Sequence, residues 1–225
     1  MKHSHLLLCA LLIAAAAIAT VVCYPALPAL VNLHWNIAGQ ADGKGPRALL
    51  WLLGPGLMAG MLGLGLCLPW LSPKRFDVAT FKATYSYFIV VLVCMFGLFY
   101  AALLYSSLGG TLALPRIIHS GMFALLILLG NPMGKVRRNF YIGVRTPWTL
   151  ASERVWHASH RLCGKLMVAS GLLGLVAVLA GAGSLVILAL LSGWAVIVVI
   201  FSLVHYKRLE RAGALEADCY QASEP

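Results

Sequence analysis

Acidic residues are what this sequence most lacks. It holds 7 Asp and Glu against 17 Lys and Arg in 225 residues, and none of the seven falls inside a long apolar run. Proton- and cation-coupled transporters commonly carry intramembrane carboxylates, so their absence counts against a coupled pump. Charge of either sign is scarce, at 11% of residues, where a soluble domain has about 25%. No C-x-x-C pair occurs among Cys9, Cys23, Cys67, Cys94, Cys163 and Cys219, and four of these lie in apolar runs. They read as small core residues rather than a metal or disulfide framework. There is no H-E-x-x-H, no Gly-rich phosphate loop and no nucleophile–base pair. Nothing in the residues therefore points to an enzyme or a cofactor. No internal repeat is visible.

What is present is apolar. The hydrophobic fraction is 61%, which places the chain in the integral membrane class. One helical bundle fits this length; a separate soluble domain does not. A span needs about 20 apolar residues, and six such runs can be drawn. The first covers residues 1–24, and its core from Leu6 to Val22 is longer than the ~7–15 residues of a signal peptide. Thr20-Val-Val-Cys23 is a poor lipobox, so this run is read as a retained span. A polar outer loop and a second span follow in residues 25–71, where Pro55 should kink the helix or mark a late true start. Five glycines in this span (Gly54, Gly56, Gly60, Gly63, Gly65) suggest close helix packing. Residues 72–130 hold a short basic loop with Lys74, Arg75 and Lys82, then spans three and four, with a turn at Gly109-Gly110. Residues 131–205 hold a basic segment and a helical hairpin. No charged residue occurs from Leu166 to Val204, a stretch that as one helix would be roughly 58 Å long. It must fold back, and Gly181-Ala-Gly183-Ser184 is the turn. Residues 206–225 form a polar tail.

The basic residues orient the bundle. With the N-terminus inside, fourteen Lys and Arg face the cytoplasm and three (Lys44, Arg47, Arg116) face outward. The reverse orientation violates the positive-inside rule. The formal charge of +10 is thus assigned to cytoplasmic loops and membrane lipid, with no direct nucleic-acid partner. The fold class is an all-α integral membrane protein of about six transmembrane helices, both termini inside.

The longest non-spanning segment is Gly130–Lys165. Thr146-Pro147 or Thr149 is a good helix start. From there Arg154, His157, Arg161 and Lys165 recur at helical spacing, with Trp148, Val155, Trp156, Leu162 and Cys163 on other faces. This pattern suggests a basic amphipathic helix lying at the membrane surface and turning into the fifth span, the first helix of the last hairpin. Such a helix serves as a lipid anchor or as a docking surface for a partner or acidic ligand. His157 and His160 are three apart, but a zinc site needs a third ligand, so no metal is assigned. In the outer loop, His34 and Asp42 are placed to order the loop by a hydrogen bond or to make a pH-sensitive contact.

Two stretches resemble a known family. Asn139-Phe-Tyr-Ile-Gly143-Val-Arg145-Thr146-Pro147-Trp148-Thr149-Leu150, then Ser152-Glu153, Val155-Trp156 and His160-Arg161, look like the signature of the SdpI family of bacterial membrane proteins. The outer stretch Leu27-Pro28-Ala-Leu-Val31-Asn32-Leu-His34-Trp35-Asn36-Ile-Ala-Gly39-Gln-Ala-Asp42-Gly43 resembles the domain of unknown function that often precedes it. Asn32, Val144, Ser159, Cys163 and Arg137-Arg138 depart from the family pattern, and the Asn–Gly–Arg–Thr–Pro–Trp core does not. The resemblance implies a bacterial inner-membrane protein that gives immunity or tolerance to a membrane-active peptide toxin and signals by holding a repressor at the membrane. On this reading Pro28, His34, Trp35, Asn36, Gly39 and Asp42 meet the ligand or order the outer face. Asn139, Gly143, Arg145, Thr146, Pro147, Trp148, Trp156, His160 and Arg161 change conformation or bind a soluble partner. Gly143 supplies a positive-φ turn, and Arg145 makes a charge-assisted contact with carboxylate or phosphate. The rival readings are a transporter gated by the broken second span, a membrane enzyme acting on lipid or cell-wall precursors through His157 and His160, and a lipid-bound scaffold.

Overall fold

The structure, a computed structural model, describes residues 1–36, 39–71, 78–111 and 113–215. The expected Lys74–Arg75 loop, Cys219 and the tail beyond Leu215 lie outside the described residues. Six helices are long and apolar enough to cross a membrane, as the apolar runs predict. They are α1 (His3–Cys23), α2 (Leu49–Leu71), α3 (Lys82–Ser107), α4 (Leu114–Gly130), α6 (Glu153–Leu179) and α7 (Ser184–Arg211). A short helix α5 (Pro147–Ala151) precedes α6. The chain is a multi-pass membrane protein. Little of α1 or of α7 is buried inside the protein, so the Leu, Ile and Val side chains they expose face lipid rather than a protein core.

Helix α2 begins before Pro55, so the proline does not mark its start, and the helical winding changes around it. Residues Leu52–Gly56 wind as a π-helical turn inside α2. Proline cannot donate to the helical ladder, and a wider turn re-registers the carbonyls around it. The Gly-rich span packs less than expected. Gly54 lies under the Tyr100 ring and Gly65 under Ile89, but a Cβ on Gly60 or Gly63 meets no described atom within 4 Å. Two of the five glycines therefore pack against no described neighbour.

Helix α3 is the central element. It packs against α1, α2 and α4. Its Tyr85 hydroxyl donates to the Gly65 carbonyl at 2.7 Å. The Thr20 hydroxyl donates to the Ala16 carbonyl, so the buried Tyr100 hydroxyl donates to Thr20. The α6–α7 turn is as predicted, with Gly181 at φ +73°.

Two features differ from the sequence expectation. The outer loop is not irregular: β1 (Leu30–Trp35) and β2 (Ala41–Pro46) form an antiparallel hairpin. Gly39 at φ +78° and the Asn36 carboxamide, which accepts from Gln40 N at 3.0 Å, shape its tip. Arg47 ties its base to the end of α1, donating to the Tyr24 and Leu27 carbonyls and lying 4.5 Å over the Tyr24 ring. The second difference concerns the surface helix expected from Thr149. The chain leaves helix at Ser152, whose backbone is extended, and Ser152 caps a new helix that runs unbroken to Leu179. No Pro interrupts it, so the basic stretch is the first turns of the fifth span. Its apolar side, with Val155, Trp156 and Cys163, is buried against protein and does not lie on a membrane.

Candidate functional site

At about 1.5 Å per residue the 27 residues of α6 extend about 40 Å, beyond the ~30 Å of hydrocarbon. Its basic first turns therefore stand at a membrane interface, and the segment from Val136 to Leu150 folds back over them. Asn139 organises that fold-back. It is fully buried; its Nδ2 donates to the Arg137 and Ile142 carbonyls, and its Oδ1 accepts from Tyr141 N and Ile142 N. All its polar capacity is spent on the local backbone. Asn139→Asp keeps the two acceptor bonds and turns two donor contacts into oxygen–oxygen repulsion. It should cost about 2 kcal/mol in thermal unfolding in detergent, and an unshifted midpoint would show that the loop is ordered by other means.

The next contact is Gly143 over His160. Gly143 has φ +105°, the positive φ expected of it. This turn brings Val144 N–H to donate to His160 Nε2 at 3.1 Å, while Nδ1 lies 2.8 Å from the Trp156 carbonyl. The two contacts fix one neutral tautomer, with Nδ1 as donor and Nε2 as acceptor. The imidazole is fully buried and stacks on the Trp156 ring at 3.9 Å between centroids. Trp156 Nε1 in turn donates to the Val136 carbonyl at 2.8 Å. Thr146 and Thr149 form a capping box at the start of α5, with Pro147 in its first turn. Trp148 reaches across to α7, donating from Nε1 to the Ser202 hydroxyl at 2.6 Å. Arg138, largely buried, donates to the Leu150 carbonyl and sits 3.9 Å from Glu153.

The inner residues thus divide. Asn139, Thr146, Trp148, Trp156 and His160 direct their polar atoms inward and form a latch across α6 and α7. Gly143, Arg145 and Pro147 are exposed on that latch. The Arg145 guanidinium folds back onto the Phe140 carbonyl. Arg161 stands apart from them, beside Lys135, Arg137 and His157. His157 and His160 do not converge: His157 contacts Arg137 at 3.3 Å, while His160 is closed inside. Among the described residues no three His, Cys, Asp or Glu side chains converge on a metal position.

The outer residues meet at a cavity. His34, Trp35, Asn36 and Gly39 line a space of about 700 Å³ beneath the hairpin tip. Its remaining walls come from α2, α3, α4 and the first residue of α7, chiefly Leu57, Phe96, Phe99, Leu103 and Ile118, with His119 and Ser184 as polar points. Asp42 does not line it; its carboxylate lies 2.5 Å from His34 Nδ1, the loop-ordering contact expected of that pair. Pro28 lies off the cavity. The aromatic cluster Phe96, Phe99 and Tyr100 was invisible as a site in the sequence, because an aromatic on a spanning helix reads the same whether it faces lipid or a hollow.

Comparison with known proteins bears on both regions. The pattern defining the SdpI/YfhL protein family matches residues 135–204, that is, the latch, α6 and most of α7. The domain of unknown function DUF1648 matches residues 11–59, taking in most of α1, the hairpin and the start of α2. The Immunity protein SdpI of Bacillus subtilis (strain 168) is similar to this chain, at 42% identity over 65 residues. That stretch is 29% of this chain, and the chain spans only 31% of the relative's length. No solved structure matches the chain. The latch and the helical hairpin behind it, residues 135–204, belong to the SdpI/YfhL protein family, joined here to an N-terminal DUF1648 segment.

Proposed function

We propose that this chain gives the bacterium that carries it tolerance to a membrane-active peptide, by taking an apolar part of that peptide into the cavity beneath the hairpin. The relative's name, an immunity protein, supplies the class. The observation that carries the reading is the cavity, which gathers four of the six outer residues picked out by sequence around a mainly apolar hollow. Its volume of about 700 Å³ falls within the ~300–1,000 Å³ of ligand pockets. Each large apolar side chain buried there contributes roughly 1.5–3 kcal/mol. Binding at this level would hold the peptide at the outer face before it inserts elsewhere. On this reading the chain sits in the plasma membrane and needs no catalytic step.

A relay to a soluble repressor is the finer part of the proposal. Helix α3 lines the cavity with Phe96 and Phe99 and, at its other end, faces Tyr141, Ile142 and Gly143 of the latch through Tyr85 and Phe88. The exposed Phe140, Arg145 and Pro147 are where a cytoplasmic partner would dock.

The test is survival of a sensitive host challenged with a membrane-active peptide, at matched membrane levels. Trp35→Ala, which removes a wall, and Leu103→Trp, which fills the space, should each lower survival at least about tenfold, the equivalent of about 1.4 kcal/mol of lost binding. Leu188→Ala, on the exposed side of α7, should protect as the wild type does. Full protection by both cavity variants would remove the cavity from the mechanism.

A further inference from the structure

The cytoplasmic end of the bundle has a second concavity, and it is polar. An open groove of about 880 Å³ runs between the start of α3, the turn after α4 and the first turns of α6. Lys82, Lys135, Arg137, His157 and Arg161 line it, with Thr84 at one side, and no Asp or Glu is among its described lining residues. These basic groups come from three elements, and Lys82 and Arg161 are 79 positions apart in sequence. The fold therefore assembles them, whereas a basic run in one loop would need no fold at all. Neighbouring like charges near a surface repel by about 1 kcal/mol or more per pair, a cost that a bound anion removes.

The positions of the groups are held. Arg137 Nη1 lies 3.3 Å from His157 Nε2, which fixes the guanidinium against the wall. The stem of Arg161 rests on the turn after α4: a Cβ on Gly134 would stand 3.4 Å from its Cγ. None of Lys82, Lys135 and Arg161 makes an ion pair with a described acidic residue. The length of α6 beyond the hydrocarbon puts Arg161 at the headgroup level of the inner leaflet. Guanidinium forks bind phosphate oxygens in a bidentate manner, and ammonium groups complete the charge.

We propose that this groove is a binding site for a phosphate group, presented by an anionic phospholipid of the inner leaflet or by a soluble phosphate anion. It is separate from the outer cavity, so the two proposals fail independently.

The full chain in nanodiscs tests it. Retention of fluorescent phosphatidylglycerol would be measured in phosphatidylcholine discs by competition, and binding of inorganic phosphate by the shift of the unfolding midpoint. Arg137→Gln/Arg161→Gln should weaken whichever ligand binds by at least about tenfold, given two lost charge-assisted contacts. Arg208→Gln/Arg211→Gln, which removes two exposed charges at the end of α7, should change it less than about twofold. Loss in the lipid arm identifies a headgroup, and loss in the phosphate arm a free anion. Equal effects of the two double variants would mean generic attraction of a basic surface and would overturn the site. If the first double variant does not give a helical, monodisperse protein, Lys82→Gln/Lys135→Gln carries the same comparison.

Discussion

Gly143→Ala should lower the unfolding free energy of this protein by about 4 kcal/mol, while Gly109→Ala, at a similar backbone angle, lowers it by only about 1. Both glycines have positive φ, +105° and +87°. Both substitutions place a side chain where L-residues are strained, at a cost on the order of 1–2 kcal/mol. They differ in what the new Cβ would meet. At Gly109 no described atom lies within 4 Å; at Gly143 the Cβ would stand 2.1 Å from His160 Nε2. The imidazole has nowhere to go, because it is buried and stacked on Trp156. Displacing it leaves Val144 N–H without its acceptor, and a buried unpaired donor costs about 1–3 kcal/mol more. Reversible unfolding in detergent micelles checks the pair. The double variant Gly143→Ala/His160→Ala adds a sign: with the imidazole gone the clash is relieved, so it should be more stable than the sum of the single effects. Equal losses at Gly109 and Gly143, or strict additivity, would mean that the glycine serves its turn alone and not the histidine beneath it.

This contact shows what a motif can and cannot say. The sequence places Asn139, Gly143, Trp148, Trp156 and His160 together as a polar, aromatic constellation, and such a constellation looks the same whether its hydrogen bonds go to a ligand or to its own backbone. In the structure most go to backbone carbonyls and amides of the same segment. The six spans were legible because apolar runs of that length, punctuated by Gly, Pro and Lys, fit no element of a soluble domain. The hairpin was not legible. Its second strand is Ala-Asp-Gly-Lys-Gly-Pro, a composition depleted in strands, and it pairs because β1 and Arg47 hold it in register. Gly43 fits there because a Cβ would come within 2.8 Å of the His34 Cβ. The cavity walls were hidden for a different reason: only tertiary packing tells a lipid-facing Phe from one that faces a hollow.

Helix seams give the other large effect. Gly171→Ala should cost at least about 3 kcal/mol and leave little folded protein at moderate temperature, whereas Gly60→Ala should be neutral or stabilising by up to about 1 kcal/mol. On sequence α2 is the glycine-rich helix, with Gly56 and Gly60 at the four-residue spacing of a close-packed pair. In the structure the close approach is between α4 and α6. A Cβ on Gly164 would stand 2.6 Å from the Gly130 carbonyl oxygen, one on Gly171 2.7 Å from the Phe123 oxygen, and one on Gly174 2.1 Å from the Phe123 ring. At Gly164 and Gly171 a backbone oxygen is among the obstructing atoms, and no rotamer change can move it. The helices must separate, so the cost exceeds the ~1–3 kcal/mol of ordinary overpacking and reaches the latch, since α6 carries His160 and Trp156. At Gly60 no described atom lies within reach, so Ala brings only its better helix propensity. In a membrane there is little hydrophobic drive between helices, and contact between backbones through small residues takes its place. Thermal unfolding of the two variants in one detergent decides between the helices. A destabilised Gly60→Ala beside an unaffected Gly171→Ala would mean that the tight seam runs through α2 and that the latch hangs on some other support than α4.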